Sequence, residues 1–190
     1  MILIIAAISL APLAHVVIDS KIGRHEALSG KKIPEAVSKY QVLLSVEYVG
    51  FDGKLHHGQI VVHKKVAQEV RAIFNEIRRS RFPIARMIPV ASFAWQDRRS
   101  MKRNNTSGFN YRLVEGGHKL SVHASGLAID INPYQNPDEG MPNPKIGKYD
   151  PKKPGAITRR SAVYRAFRKH GWRWGGNWPN RPDYQHFYKP

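Results

Sequence analysis

The stretch Ser121-Val-His123-Ala-Ser-Gly126-Leu-Ala-Ile-Asp130, answered near the C-terminus by Asp183-Tyr-Gln-His186-Phe187, decides how this chain is read. Residues 127–131 alternate large apolar side chains with Ala128 and Asp130. A strand there buries Leu127, Ile129 and Ile131 on one side and turns Asp130 to the other. Gly126 permits a bend before the strand, so His123 on the preceding loop and Asp130 can converge despite an odd offset. A His followed seven residues later by an Asp is a weak signal alone, and the third group must come from far along the chain, where His186 supplies it. Two imidazoles and one carboxylate can fill three corners of a zinc tetrahedron and leave the fourth open, as catalytic rather than structural sites do. Asp183, three residues before His186, is placed to act as the base. Ser121 carries a hydroxyl suited to steadying a ligand from behind.

Outward from that stretch, residues 41–48 and 58–63 are rich in Val, Leu, Ile and Tyr and flank Phe51-Asp52-Gly53, the turn chemistry of a hairpin. Val66, Val70, Ile73, Phe74 and Ile77 recur at helical spacing, with Lys65, Glu69, Arg71, Glu76 and Arg78 on the other face, so an amphipathic helix covers the sheet. Residues 84–95, interrupted by Pro89, read as a strand or a buried loop. Residues 97–112 hold too many turn formers to be regular throughout. Pro133, Pro137, Pro142, Pro144, Pro151 and Pro154 forbid continuous helix or central strand and leave a long irregular crossing. Val163, Ala166, Phe167 and His170 mark a final helix with Gly171 at its C-terminal cap. The segment Trp172-Arg-Trp174-Gly175-Gly176-Asn177-Trp178 then leads to the strand bearing His186.

With 190 residues and 42% apolar content the chain suits one domain with a real core, which excludes the disordered and fibrous classes. It has no cysteine, so neither a disulfide framework nor a thiolate zinc site is available. Lys and Arg number 31 against 14 acids, a net charge of +17 that implies a polyanionic partner or, more simply, a solvated basic surface. Nucleic acid is not expected, because no nucleic-acid motif is present and the aromatics gather near the candidate metal rather than along a basic stripe. Residues 1–18 are almost wholly apolar and read as a signal or membrane anchor, although the basic residues follow the run instead of preceding it. An N-terminal strand or helix packed on the domain is the alternative. Residues 19–35, with Gly23, Gly30, Lys31, Lys32 and Pro34, read as a linker to a folded domain at 36–190.

Ser-x-His-x-x-Gly-x-Ala-x-Asp at 121–130, Gly171-Trp172-x-Trp174-Gly175-Gly176-x-Trp178 and Asp183-x-x-His186-Phe187 together resemble the zinc D-alanyl-D-alanine carboxypeptidase and L-alanyl-D-glutamate endopeptidase family. The resemblance covers about residues 90–190. It implies a small α+β fold shared with the hedgehog signalling domain, an antiparallel sheet with packed helices. It further implies one zinc ion held by His123, Asp130 and His186, and Asp183 as catalytic acid/base. The family also uses an arginine, usually in a Ser-Gly-Tyr-Arg context, to hold the developing oxyanion. The closest text here is Ser107-Gly108-Phe109-Asn110-Tyr111-Arg112, which makes Arg112 the candidate. Trp172, Trp174 and Trp178 read either as a dry wall for the site or as ordinary core.

By the same resemblance the substrate is the peptide part of peptidoglycan or its muropeptides, with anionic cell-wall polymers as further partners. The place of action is the cell envelope, periplasmic or secreted, and a monomer is expected. Carboxypeptidase and endopeptidase are not separated by sequence. A non-catalytic zinc domain that binds cell wall is the other reading, and retention of Asp183 argues against it. His118, in a Glu115-Gly116-Gly117 turn, reads as a solvent residue rather than a rival ligand.

Overall fold

A computed structural model describes residues 16–141 and 146–190, and its first sheet grows from the expected hairpin. Strands β1 (Val17–Ile18), β2 (Gln41–Val49) and β3 (Leu55–His63) lie in the order β1-β3-β2, with β2 antiparallel and β1 parallel to β3. Along β2, Leu44, Val46 and Tyr48 point into the core while Ser45 and Glu47 face solvent. Residues 58–62 of β3 are all buried, so the run Gly-Gln-Ile-Val-Val is covered on both faces. Ile60 and Val62 enter the main core, whereas Val61 packs under the N-terminal segment.

That second cover corrects the expectation of a linker at residues 19–35. The segment contains α1 (Arg24–Ala27) and leads into α2 (Glu35–Ser38), and Ile22, Ala27, Leu28, Ile33 and Val37 pack with Val61, Trp95 and Phe109. A buried amide is the reason. Gln59 Oε1 accepts from Ser20 Oγ at 2.7 Å and from Ile22 N at 2.8 Å, and its Nε2 donates to Ile22 O at 3.0 Å, so the segment satisfies a group that would otherwise be stranded. Asp19 is tied as firmly, accepting from Tyr48 Oη and Met87 N and pairing with His56 Nδ1 at 3.1 Å. Of the apolar segment 1–18, residues 1–15 lie outside the described residues, and Val17–Ile18 form β1. No described helix is long and apolar enough to cross a membrane.

The helical stripe appears as α3 (Ala67–Arg79), which lays Val70, Ile73, Phe74 and Ile77 on the inner face of the hairpin. Residues 84–95 are irregular apart from a 3-10 turn at Val90–Phe93. The Asn105 amide takes up both backbone groups of Ile88 at 2.9 Å, which removes them from any strand ladder. A short helix follows, α4 (Asp97–Met101).

The second sheet holds β4 (Ala128–Asp130), β5 (Arg173–Trp174) and β6 (His186–Tyr188) in the antiparallel order β4-β6-β5. Its register pairs Ile129 with Phe187 and Asp130 with His186. Ile129 and Phe187 are fully buried in the core, so Asp130 and His186 project together from the opposite face. The two sheets are joined by the chain at 107–109: Ser107 exchanges backbone bonds with Asp130 at 3.0 and 2.8 Å, and Phe109 N donates to Val61 O at 2.7 Å. Helix α5 (Ala162–Lys169) starts on Ser161, whose Oγ accepts from Tyr164 N, and is followed by Gly171 at φ 76°. Its Phe167 stacks on Phe187 at 4.1 Å and meets Phe74 edge-on. The class is α+β as expected, with the mixed first sheet lying in the same domain as the antiparallel second one.

Candidate metal centre and its cleft

His123 stands on a 3-10 turn, Val122–Ser125, whose first backbone donors need a cap. Ser121 supplies it, its Oγ accepting from His123 N at 3.3 Å, so the hydroxyl supports the histidine through its backbone rather than its ring. The turn ends on Gly126 at φ 72°, whose carbonyl accepts from His63 N at 2.9 Å. A Cβ there would lie 2.6 Å from His63 N, so both the left-handed backbone and the close approach to β3 require glycine.

Three ligand-type atoms converge. His123 Nε2 lies 3.1 Å from Asp130 Oδ2 and 3.2 Å from His186 Nδ1, and His186 Nδ1 lies 2.9 Å from Asp130 Oδ1. All three residues are buried. The other ring nitrogen of His123, Nδ1, faces the Gly108 carbonyl oxygen at 2.6 Å. A carbonyl only accepts, so Nδ1 carries the hydrogen and Nε2 of the neutral ring turns a lone pair toward the cluster. Burial works against the His123 imidazolium, but the charge and hydrogen bond of Asp130 outweigh it and raise its pKa. Burial likewise opposes the Asp130 carboxylate, and His123 and His186 hold it ionised far below the usual range. Electron-pair donors crowded in this way ask for a cation among them. Two imidazoles and a carboxylate, with no thiolate, form a donor set that fits zinc.

The cluster lies at the foot of an open cleft of about 470 Å³, whose walls include Asp183, Arg112, Ser121, Asp97, Asp138 and Trp178. Asp183 is partly open to it. Its backbone is pinned by Asp183 N donating to Gly175 O at 3.2 Å and by His186 N donating to its carbonyl at 3.3 Å, while Oδ1 is covered and has no hydrogen-bond partner. Burial pushes the Asp183 pKa well up; His186 opposes this, and the charges of Asp130 and Asp138 add to it. Arg112 reaches the cleft with Nη2 held by Asp97 Oδ2 at 2.6 Å and Nη1 donating to Leu113 O at 3.1 Å. Asp97 is in turn held by Asn110 Nδ2 at 3.1 Å.

The tryptophans divide. Trp178 is 40% exposed, lines the cleft and sits 5.7 Å from the His186 ring. Trp174 corrects its place among the site residues: it is buried in the main core, its Nε1 donates to Tyr184 O at 2.9 Å, and it packs on Tyr164 and Phe187. Trp172 is core as well, with Nε1 donating to Glu69. His118 is exposed, as its turn implies. Among the cleft residues, Asp138 and Arg181 were not assigned from sequence, and Asp97, which reads equally as cleft wall or solvated loop there, lines the cleft. Asp97 had a faint signal, since it opens a polar loop leading to the candidate arginine. Asp138 and Arg181 had none, because proline-rich chain gives no periodicity from which a facing side can be read.

The α+β domain thus brings two imidazoles and a carboxylate together under a cleft that also holds a half-buried acid and a fixed arginine, a set of groups whose chemistry suits metal-assisted hydrolysis. Residues 115–189 match the model of a family described as D-alanyl-D-alanine carboxypeptidase, a match that takes in His123, Asp130, Asp183 and His186 and agrees with the resemblance read from the motifs. No curated protein and no solved structure matches the chain.

Proposed function

We propose that this protein is a zinc-dependent peptidase of peptidoglycan stem peptides, acting at the cell envelope. One observation carries the reading: His123 Nε2, an Asp130 oxygen and His186 Nδ1 lie within 4.8 Å of one another at the foot of the cleft that Asp183 and Arg112 border. A bound zinc would acidify a water and polarise the scissile carbonyl. Asp183 has an oxygen with no protein partner and an elevated pKa, which suits it to take the proton of the attacking water and return it to the departing amine. Arg112, fixed by Asp97, offers guanidinium N–H groups to the oxyanion. Arg112 and Arg181 on the cleft walls suit a substrate rich in carboxylates, as stem peptides are. The match of residues 115–189 to a peptidase family supports the same chemistry.

The test is zinc analysis coupled to digestion of purified muropeptides, read by mass spectrometry. One zinc per chain, with hydrolysis abolished by a chelator and restored by zinc, is the expected result. Loss of a single D-Ala marks a carboxypeptidase, and longer released fragments mark an endopeptidase. Zinc-loaded protein that leaves every muropeptide intact overturns the reading in favour of a non-catalytic wall-binding domain.

A further inference from the structure

At the turn end of the β2–β3 hairpin a second groove, of about 700 Å³, is lined by Val49, Gly53, Lys54, Arg78, Arg79 and Arg81. Four cations meet there. Arg78 Nη1 is committed to Glu47 at 3.2 Å, whereas no described ion pair or side-chain hydrogen bond engages Lys54, Arg79 or Arg81, all of which are exposed. Asp52, in the hairpin turn, spends its Oδ1 on Lys54 N and His56 Nε2, both at 3.0 Å. Arg81 is also placed where a side chain is unwelcome: it follows the last turn of α3 at φ 58°, the left-handed position that glycine or asparagine normally fills. The chain thus keeps a charge at a site where backbone preference favours a residue without one.

We propose that this groove binds the phosphate groups of a linear phosphodiester polymer of the cell envelope, as an anchoring site separate from the metal cleft. Guanidinium forks match phosphate oxygens two at a time, and neighbouring arginines with an adjacent lysine suit successive phosphates along a chain. No aromatic ring lines the groove, so nucleic-acid bases would find nothing to stack on, which favours a polymer without bases. The site lies at the Leu55 end of β3, while the His63 end meets Gly126 beside His123. Nine strand residues put roughly 26 Å between the two ends, so polymer and peptide need not compete. The phosphate chemistry is independent of the peptidase reading; only the envelope source of the polymer rests on it.

The experiment titrates the whole zinc-loaded protein with linear polyphosphate, polyglutamate and duplex DNA at equal charge concentration. Polyphosphate should bind tightest. The double variant Arg79→Gln/Arg81→Gln should weaken it about tenfold and flatten its salt dependence, with melting temperature and zinc content unchanged. The charge-matched control Lys152→Gln/Lys153→Gln, also on exposed residues, should bind like the parent. Equal losses in both double variants would mean diffuse attraction, and equal affinity for polyglutamate would mean no preference for phosphate. Tighter binding of DNA would point to nucleic acid instead. Any of the three overturns the proposal, and polyphosphate binding that persists in a protein without muropeptide hydrolysis upholds this site while the peptidase reading fails.

Discussion

The Nδ1 atom of His123 lies 2.6 Å from the carbonyl oxygen of Gly108, and that bond decides which edge of the imidazole turns toward Asp130 and His186. The carbonyl is held in place because Phe109 N, the next backbone group, donates to Val61 O on β3. The hairpin therefore orients the histidine through two consecutive residues of a loop.

A side chain at position 108 should break that relay. A Cβ on Gly108 would run into the Val61 carbonyl oxygen and lie 3.1 Å from the Ile60 side chain, so Gly108→Ala must lift the loop from β3 and carry the carbonyl with it. Zinc affinity should fall about 10–100-fold, measured by competition with a chromogenic chelator. Unchanged affinity in a folded variant would show that other contacts orient the ring.

The three converging residues should be separable from the rest of the cleft by metal content. His123→Ala, Asp130→Ala and His186→Ala each remove one donor from a set of three, and each should leave well under one zinc per chain by elemental analysis. If all three variants still carried a full equivalent, the metal would have to sit elsewhere.

How much of this could be read beforehand follows from the range of the forces involved. The alternation at 127–131 placed Ile129 and Ile131 in the core and Asp130 on the other face, and helical spacing placed Val70, Ile73, Phe74 and Ile77, because each is a local periodic pattern with one buried side. The segment at 19–35 escaped because its order depends on Gln59, a partner far along the chain and itself polar. The tryptophan motif was legible as a cluster but not by side: Trp174 and Trp172 turn inward to Tyr184 O and Glu69, and only Trp178 reaches the cleft. The role of Asp97 was not legible, since its meaning lies in a 2.6 Å contact with Arg112, fifteen positions further along the chain.

That contact makes a graded prediction. Arg112→Ala removes the guanidinium and should lower kcat about 10²–10³-fold with zinc retained. Asp97→Asn keeps the arginine but weakens its fixing pair, so a smaller fall of roughly tenfold is expected, on kcat more than KM. Steady-state kinetics on a muropeptide check both; an Asp97→Asn variant as impaired as Arg112→Ala would mean Asp97 does more than position.

Stability should carry a distinct acid limb from Glu69. Burial opposes its charge, but hydrogen bonds from Lys189 Nζ at 2.8 Å and Trp172 Nε1 at 3.1 Å outweigh that and lower its pKa. A carboxylate with a lowered folded pKa contributes fully above the ordinary value of 4.5 and loses that contribution as pH falls through the folded value. Glu69→Gln should therefore melt about 2–4 °C lower near neutrality, and the gap from the parent should close as pH falls below the ordinary 4.5 and through the lowered folded value. A gap that stays constant across that range would remove the ionic part of the argument.

Asp183 offers the sharpest separation of chemistry from structure. Its Oδ1 is covered without a protein partner, and burial with Asp130 and Asp138 nearby makes its ionised form costly in the zinc-free fold. A raised folded pKa means that ionisation at neutral pH destabilises, so a neutral isostere should not harm the fold. Asp183→Asn should accordingly leave the zinc-free protein melting at or above the parent temperature and still taking up one zinc. Turnover should nevertheless fall about 10²–10⁴-fold, since an amide cannot accept the water's proton. Retained turnover would take Asp183 out of the proton transfer, and loss of zinc together with turnover would place it among the metal's own supports.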